Sequence, residues 1–229
     1  MSQNLIKRVV TSIILLFLLF FINFANENFF IVAILILGMI ICIEANNLFS
    51  KLLFSNNFKK NLISDKFNSK FLILNILTFC YIFFIFCSFS YEIHRSEGPL
   101  FFLYIISICF FTDIGGYVVG KIVGGKKLSK ISPNKTISGT IGSFLFSIFP
   151  LILFLNVDYQ DFALNFTNIL FCLMISLVSQ LGDLCVSFLK RKAKIKDTGK
   201  ILPGHGGVLD RLDGIIFAVP FSYLLIKLI

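Results

Sequence analysis

The chain has 229 residues, of which 57% are hydrophobic and 14% charged, with a mean hydropathy of +0.90. Soluble domains are about 45–50% apolar, so this composition excludes an ordinary soluble enzyme, a DNA-binding domain and a disordered tail. The 21 Lys and Arg against 12 Asp and Glu give a formal charge of +9. In so apolar a chain that excess reports membrane orientation and contact with anionic headgroups, with no nucleic-acid partner.

Apolar runs of about 17–25 residues recur along the chain, each long enough to cross a hydrocarbon core of about 30 Å as a helix. They predict an all-α fold, a polytopic integral membrane helical bundle of about seven transmembrane helices forming one domain over residues 1–229. The spans are Val9 to Ala25, Phe29 to Leu48, Phe71 to Ser90, Pro99 to Val119, Ile137 to Val157, Phe162 to Phe188 and Val208 to Ile229. Residues 1–70 hold the N-terminal spans and a basic loop, and 71–229 hold the spans with the motifs described below. The first run follows Lys7 and Arg8 as a secretory signal would, but no small-x-small cleavage site precedes Asn26-Glu27-Asn28, so it is read as an uncleaved span. The Asn- and Lys-rich insert Lys51 to Lys70 reads as an interfacial loop or short helix.

The segments between spans alternate in charge. Lys7 and Arg8, the insert, the stretch Lys121 to Lys135, and the stretch Lys190 to Arg211 together carry nineteen of the 21 basic residues. Arg95 and Lys227 fall on the other face, with Glu27, Glu92, Glu97, Asp158 and Asp161. The positive-inside rule makes the basic face cytoplasmic, giving a multi-pass protein of the cytoplasmic (inner) membrane with its N-terminus inside. The six cysteines all lie in apolar segments without metal-ligand spacing and are read as reduced packing residues.

Acidic residues within spans are costly, so their depth matters. Glu44, Asp113 and Asp183 each lie near the cytoplasmic end of a span, and Asp210 and Asp213 open the last one on the same side. Five carboxylates therefore gather at one membrane face. Glu44 taken alone is equally well explained as an interface acid with no special role.

In chain order, the first polar stretch is Asp113-Ile-Gly115-Gly116-Tyr117-Val-Val-Gly120-Lys121, leading through Gly124-Gly125-Lys126-Lys127 to Ser132-Pro133-Asn134-Lys135-Thr136-Ile137-Ser138-Gly139-Thr140. Its glycines permit close packing of helices, within one chain or between two, or backbone contact with a ligand. Lys135, Thr136 and Ser138 offer an ammonium and two hydroxyls to a phosphate at the start of a span, where helix N–H groups are free. A loop with an ordinary helix N-cap explains the same residues equally well.

The second stretch, Ser187 to Asp213, combines a basic helix extension, a glycine-rich turn and a carboxylate pair. Gly204, Gly206 and Gly207 let the backbone bring N–H groups to phosphate oxygens. Asp210 and Asp213, three apart, share a helical face. With Asp183 they could form an all-oxygen site suited to Mg²⁺ shared with a nucleotide's phosphates. Arg211, Lys190 and Arg191 would supply charge to phosphoryl oxygens. Singly, each feature has a plain explanation: a basic juxtamembrane anchor, a turn, an exposed turn histidine at His205. Their concentration in fewer than 30 residues favours function.

These residues resemble the phosphatidate cytidylyltransferase, or CDP-diacylglycerol synthase, family. Ser187 to Asp213 fits its signature of Ser-x-apolar-Lys-Arg, then Lys-Asp, then His-Gly-Gly and Asp-Arg-x-Asp, and the likeness continues at Gln180-Leu-Gly182-Asp183-Leu184 and Ser132-Pro133-Asn134-Lys135-Thr136. It covers roughly the C-terminal half. Ser138 stands where relatives usually have Glu, and the chain is short for the family.

The resemblance implies transfer of CMP from CTP to phosphatidic acid, giving CDP-diacylglycerol and pyrophosphate, with Mg²⁺ as cofactor and the active site at the cytoplasmic face. By matching position, Asp183 and Asp210 are expected to bind metal, with Asp197 and Asp213 in support. Lys190, Arg191, Lys196 and Arg211 would hold phosphates, and Ser132, Pro133, Lys135, Thr136, Ser138, Gly139, His205, Gly206 and Gly207 would form the nucleotide pocket. The lipid bilayer supplies the acceptor, and a homodimer is what the family likeness implies. Two rivals are weaker. A CDP-alcohol phosphotransferase should carry further spaced Asp residues, yet no Asp follows Asp213; a lipid transporter should show repeats and midplane charges.

Overall fold

A computed structural model describes residues 3–54, 65–128, 132, 135–155 and 162–228. Helices follow one another: α1 (Gln3–Phe24), α2 (Glu27–Phe54), α3 (Asp65–Cys80), a π-helical stretch (Tyr81–Cys87), α4 (Ser88–Ser96), α5 (Gly98–Val123), α6 (Ile137–Ser147), α7 (Phe149–Phe154), α8 (Phe166–Lys192), α9 (Leu209–Leu212) and α10 (Ile215–Leu228). The described residues contain no strand, only the isolated bridges Lys127–Thr136 and Leu202–Gly206. The expected all-α class is observed.

Five described helical segments are long and apolar enough to cross a membrane: Glu27–Leu53, Ser69–Ser96, Gly98–Val123, Ile137–Phe154 and Phe166–Lys192. The chain is a multi-pass membrane protein. Val9–Phe24 is a shorter apolar helix, and α10 has 14 residues. The last expected span is corrected, because Val208 to Ile229 is not one helix. Asp213 accepts the N–H of Gly214 at 3.0 Å, and this turn separates α9 from α10. The predicted span Ile137 to Val157 is divided where Pro150 opens α7, since proline lacks an N–H and suits the first turn of a helix. In contrast, α2 runs on past Leu48 to Phe54, making the start of the predicted insert helical. Lys59, Lys60, Lys130, Asp158 and Asp161 lie outside the described residues.

The chain divides into two compact units. The first is Met1–Glu92 with Leu189–Leu212, and the second is Ile93–Phe188 with Asp213–Ile229.

In the first unit, the N–H groups of Phe29 and Phe30 bond the Asn26 carbonyl, turning the chain from α1 into α2. Phe21 meets Phe29 edge to face at 5.7 Å between ring centroids. A side chain at Gly38 would meet Cys87 Sγ at 2.9 Å and Ile82 at 3.1 Å, so glycine lets α2 lie directly on the π-helical stretch. Outward faces are strongly apolar: Phe17 and Phe84 are exposed at 72% and 70%. Such surface belongs in lipid.

The second unit joins α5 to α6 through small residues. A Cβ on Gly115 would overlap the Gly142 carbonyl and Phe146, and one on Gly139 would lie 2.7 Å from the Gly116 carbonyl. This glycine stripe packs helices within one chain. Ile105, Ile108, Ile175 and Val219 form a fully buried core. Earlier on the same helix as Gly115, Tyr104 packs against Phe154, Phe162 and Phe171, with its hydroxyl 3.0 Å from Cys172 Sγ. Gly182 of α8 abuts Phe217 and the Asp213 carbonyl, and Gly214 abuts Ser179, which seats α10 on α8.

Candidate active site

In the first unit the basic end of α8 leads into the glycine-rich segment. Lys194, at φ 56°, ends the helix in the left-handed region; its N–H bonds Arg191 O at 3.1 Å and that of Ile195 bonds Lys190 O at 3.0 Å, a Schellman closure. Residues 202–206 then fold back on themselves. Leu202 N bonds Gly206 O at 2.9 Å, while His205 N and Gly206 N both bond Leu202 O. Gly204 and Gly206 occupy φ 78° and 89°, conformations a side chain would strain. Asp197 lies against Gly206, so a Cβ there would come within 3.1 Å of the aspartate's own Cβ.

Asp210 draws this segment together. Its Oδ1 accepts from Lys190 Nζ at 2.8 Å, and its Oδ2 accepts the N–H groups of Thr198 at 2.8 Å and Gly207 at 3.0 Å. Burial pushes the carboxyl's pKa up, but the Lys190 hydrogen bond, the Gly207 and Thr198 N–H groups and the Lys190 charge together hold it below the ordinary 3.8. Arg211 donates from Nη2 and Nε to the His205 carbonyl at 2.8 and 3.3 Å. From α1, Thr11 Oγ1 donates to Pro203 O at 3.0 Å, and Ser12 Oγ lies 3.4 Å from His205 Nε2. Arg191, Lys196, Lys200 and Arg211 remain exposed, leaving cationic groups at the surface of the segment.

The second unit holds a separate group. Lys135, just before α6, forms an ion pair with Asp183 of α8. Ser187, one turn on, donates to Asp183 Oδ1 at 3.1 Å, and the Asp213 carboxyl is within hydrogen-bonding reach of Asp183. Thr136 is the N-cap of α6, accepting from Gly139 N at 3.1 Å, and its Oγ1 lies 3.0 Å from Ser138 Oγ. Ser138 donates to the Gly124 carbonyl. Both hydroxyls expected to face phosphate thus shape the loop. The Ser132 carbonyl accepts from Lys135 N at 3.1 Å, and Pro133 lies outside the described residues.

Lys190, Asp197, His205, Gly206, Gly207, Asp210 and Arg211 are gathered in one unit, and Lys135, Thr136, Ser138, Gly139, Asp183 and Asp213 in the other. The expected metal pair divides between them: Asp183 belongs to the second unit, Asp210 to the first, and each holds a lysine of its own unit. Among the described residues, no group of three or more His, Cys, Asp or Glu gathers to hold a metal. Two residues were not foreseen in their observed roles. Glu44, 1% exposed, accepts from Thr198 Oγ1 and from the N–H groups of Val208 and Leu209. Thr198, 2% exposed, binds both Glu44 and Asp210. Glu44 was legible as an acid inside an apolar run, but no pattern marks Thr198.

The sequence model described as the cytidylyltransferase family matches residues 47–229. The chain belongs to the cytidylyltransferase family. Proteins named phosphatidate cytidylyltransferase are among its relatives. That of Staphylococcus aureus (strain COL) is 46% identical over 141 residues, 60% of this chain and 53% of the relative. That of Staphylococcus haemolyticus (strain JCSC1435) is 42% identical over 135 residues, 58% and 51% of the two chains. The Staphylococcus epidermidis protein is 43% identical over 135 residues, again 58% and 51%. The chain spans about half the length of the curated relatives it matches. The family match takes in both residue groups, while Glu44 stands three residues before its start.

Proposed function

We propose that this cytidylyltransferase-family chain is a CTP:phosphatidate cytidylyltransferase, making CDP-diacylglycerol and pyrophosphate. The single observation that carries the reading is the family match over residues 47–229, with relatives bearing that name. The geometry is compatible: lysines and arginines flank glycine-rich backbone, the chemistry that holds phosphate.

In this reaction a phosphate oxygen of phosphatidic acid attacks the α-phosphorus of CTP. A new P–O bond forms, the α–β bridging P–O bond breaks, and pyrophosphate leaves with its electron pair. The nucleophile is already an anion, so no strong general base is required; catalysis rests on positioning and on neutralising phosphate charge. Arg191, Lys196 and Arg211 are exposed and hold phosphoryl oxygens. Lys190 keeps Asp210 ionised, and Asp210 in turn fixes the N–H groups of Thr198 and Gly207.

Mg²⁺ fits the oxygen chemistry of the second group, where the Asp183 and Asp213 carboxyls and the Ser187 hydroxyl lie together. There Asp183 and Asp213 would hold it, and the ion would supply charge neutralisation to the triphosphate. Asp210 is the poorer ligand, since three of its roughly four acceptor positions already take Lys190, Thr198 and Gly207. The distribution of basic residues supports an inner-membrane protein with the N-terminus and both residue groups on the cytoplasmic side.

The test is incorporation of labelled CTP into chloroform-extractable lipid by the full chain in micelles, with phosphatidic acid or phosphatidylglycerol offered as acceptor, with Mg²⁺ and with chelator. Product with phosphatidic acid and Mg²⁺ only is the expected result. Product with neither lipid would refute the reading.

A further inference from the structure

The glycine-rich segment 198–209 has a support that the family match does not include. Glu44 sits in the C-terminal half of α2, at the end of a long apolar run, and is 1% exposed. A carboxylate so enclosed needs compensation, and the segment supplies it. Thr198 Oγ1 donates to Oε2 at 3.0 Å, Leu209 N donates to the same oxygen at 2.8 Å, and Val208 N donates to Oε1 at 3.1 Å. These donors come from both ends of the segment, so one side chain ties its beginning to its end. The fit is close. A Cβ on Gly199 would lie 2.7 Å from Glu44 Cδ, and one on Gly207 would lie 2.5 Å from Oε2. Gly199 and Gly207 thus let the backbone close over the carboxylate.

We propose that Glu44 is the positioning residue that holds segment 198–209 in the form that takes the phosphates of CTP, an inference that rests on the nucleotidyl-transfer reading. Glu44 touches no reacting atom. It acts through the backbone of Gly207, whose N–H is fixed by Asp210 while its Cα lies against Glu44. A glutamine at position 44 keeps the size but turns one acceptor into a donor, which meets another donor at Val208 N or at the Thr198 hydroxyl and Leu209 N.

The experiment compares the parent with Glu44→Gln in detergent micelles by three readouts: trypsin cleavage after Lys196 and Lys200, the Kd for CTP with Mg²⁺, and kcat at saturating CTP. Loss of charge-assisted hydrogen bonds predicts cleavage about 10- to 100-fold faster and a Kd raised about 10- to 100-fold. At saturating CTP, kcat stays within about threefold of the parent, since ground-state positioning of the nucleotide is what is lost. If Glu44→Gln does not fold, Thr198→Val removes one donor with no change of shape and moves cleavage and Kd the same way by about 3- to 10-fold. Parent-like cleavage, or faster cleavage with an unchanged Kd, overturns the proposal. A parent that binds CTP and forms no liponucleotide defeats the nucleotidyl-transfer reading alone, because cleavage and Kd still report on Glu44.

Discussion

Lys190 and Asp210, twenty residues apart, form an ion pair at 2.8 Å in which the side chains are only 13% and 6% exposed. The aspartate's second oxygen binds the backbone at Thr198 and Gly207, so the pair joins the end of α8 to the glycine-rich segment. Removing one partner leaves the other charge enclosed. Asp210→Asn is expected to destabilise the chain by about 3 kcal/mol, and Lys190→Met by a similar amount, with the double variant less harmed than the sum. Thermal unfolding of all four proteins in one detergent measures the coupling.

The same pair gives a pH dependence of definite sign. The folded Asp210 carboxyl titrates below its ordinary 3.8. Its contribution to stability is therefore fully present above that value and is lost as pH falls through the lower folded one. Between pH 8 and 5 the stability difference between parent and Asp210→Asn should stay constant. It should shrink only as the solution is acidified below about 4. Unfolding midpoints taken across that range check this, and a difference that faded near neutrality would contradict it.

Gly207 has no room for a side chain. Its added Cβ would collide with the Thr198 hydroxyl and lie 2.5 Å from Glu44 Oε2 and 2.7 Å from Gly199 N. Gly207→Ala is expected to cost about 1–3 kcal/mol and to lower nucleotide binding. Gly124→Ala is a contrasting change, because nothing lies within 4 Å of its added Cβ and only its backbone conformation opposes it. The cost there should be about 1–3 kcal/mol, because φ 64° with ψ −147° is a region open essentially to glycine alone, with CTP affinity unaltered. CTP titration and thermal unfolding of both variants separate the two effects.

Lys135 stands beside two carboxyl groups, paired with Asp183 while Asp213 is in reach of that aspartate. Lys135→Met removes the ammonium and leaves the acids facing each other. Transfer should fall by about 100-fold or more, as for other losses of fixed charge from a reacting centre. Raising Mg²⁺ should restore part of the rate if the cation takes over the neutralisation. Initial rates over a Mg²⁺ series test this.

Much of the architecture was readable from the chain. Long apolar runs marked most of the membrane-length helices because the hydrocarbon core sets a minimum helix length. What the apolar pattern missed was local punctuation: the Asp213-Gly214 turn that ends α9, and the break before Pro150 inside a segment, Ile137–Phe154, that keeps membrane-crossing length. Apolar content alone does not register either break. The site residues were readable as types, since acids and glycines are conspicuous among Phe, Leu and Ile. Their partners were not. Asp183, Asp210 and Asp213 lie near one another in sequence depth, and only tertiary packing decides that Lys135 meets one and Lys190 another. Glu44 was ambiguous for the same reason, because an acid one or two turns from a helix end can equally meet water or a folded loop. The glycines at 115, 116 and 120, open to either intrachain or interchain packing by sequence, lie against α6 of the same chain.

The most direct test of nucleotidyl transfer counts both products. The parent and Asp183→Asn, matched for folding by their unfolding midpoints, are supplied with CTP, phosphatidic acid and Mg²⁺, and pyrophosphate and lipid-linked CMP are measured together. The account predicts equimolar products from the parent and at least about 100-fold less from Asp183→Asn. Equal rates from the two proteins, or pyrophosphate released by the parent without lipid-linked CMP, would contradict it.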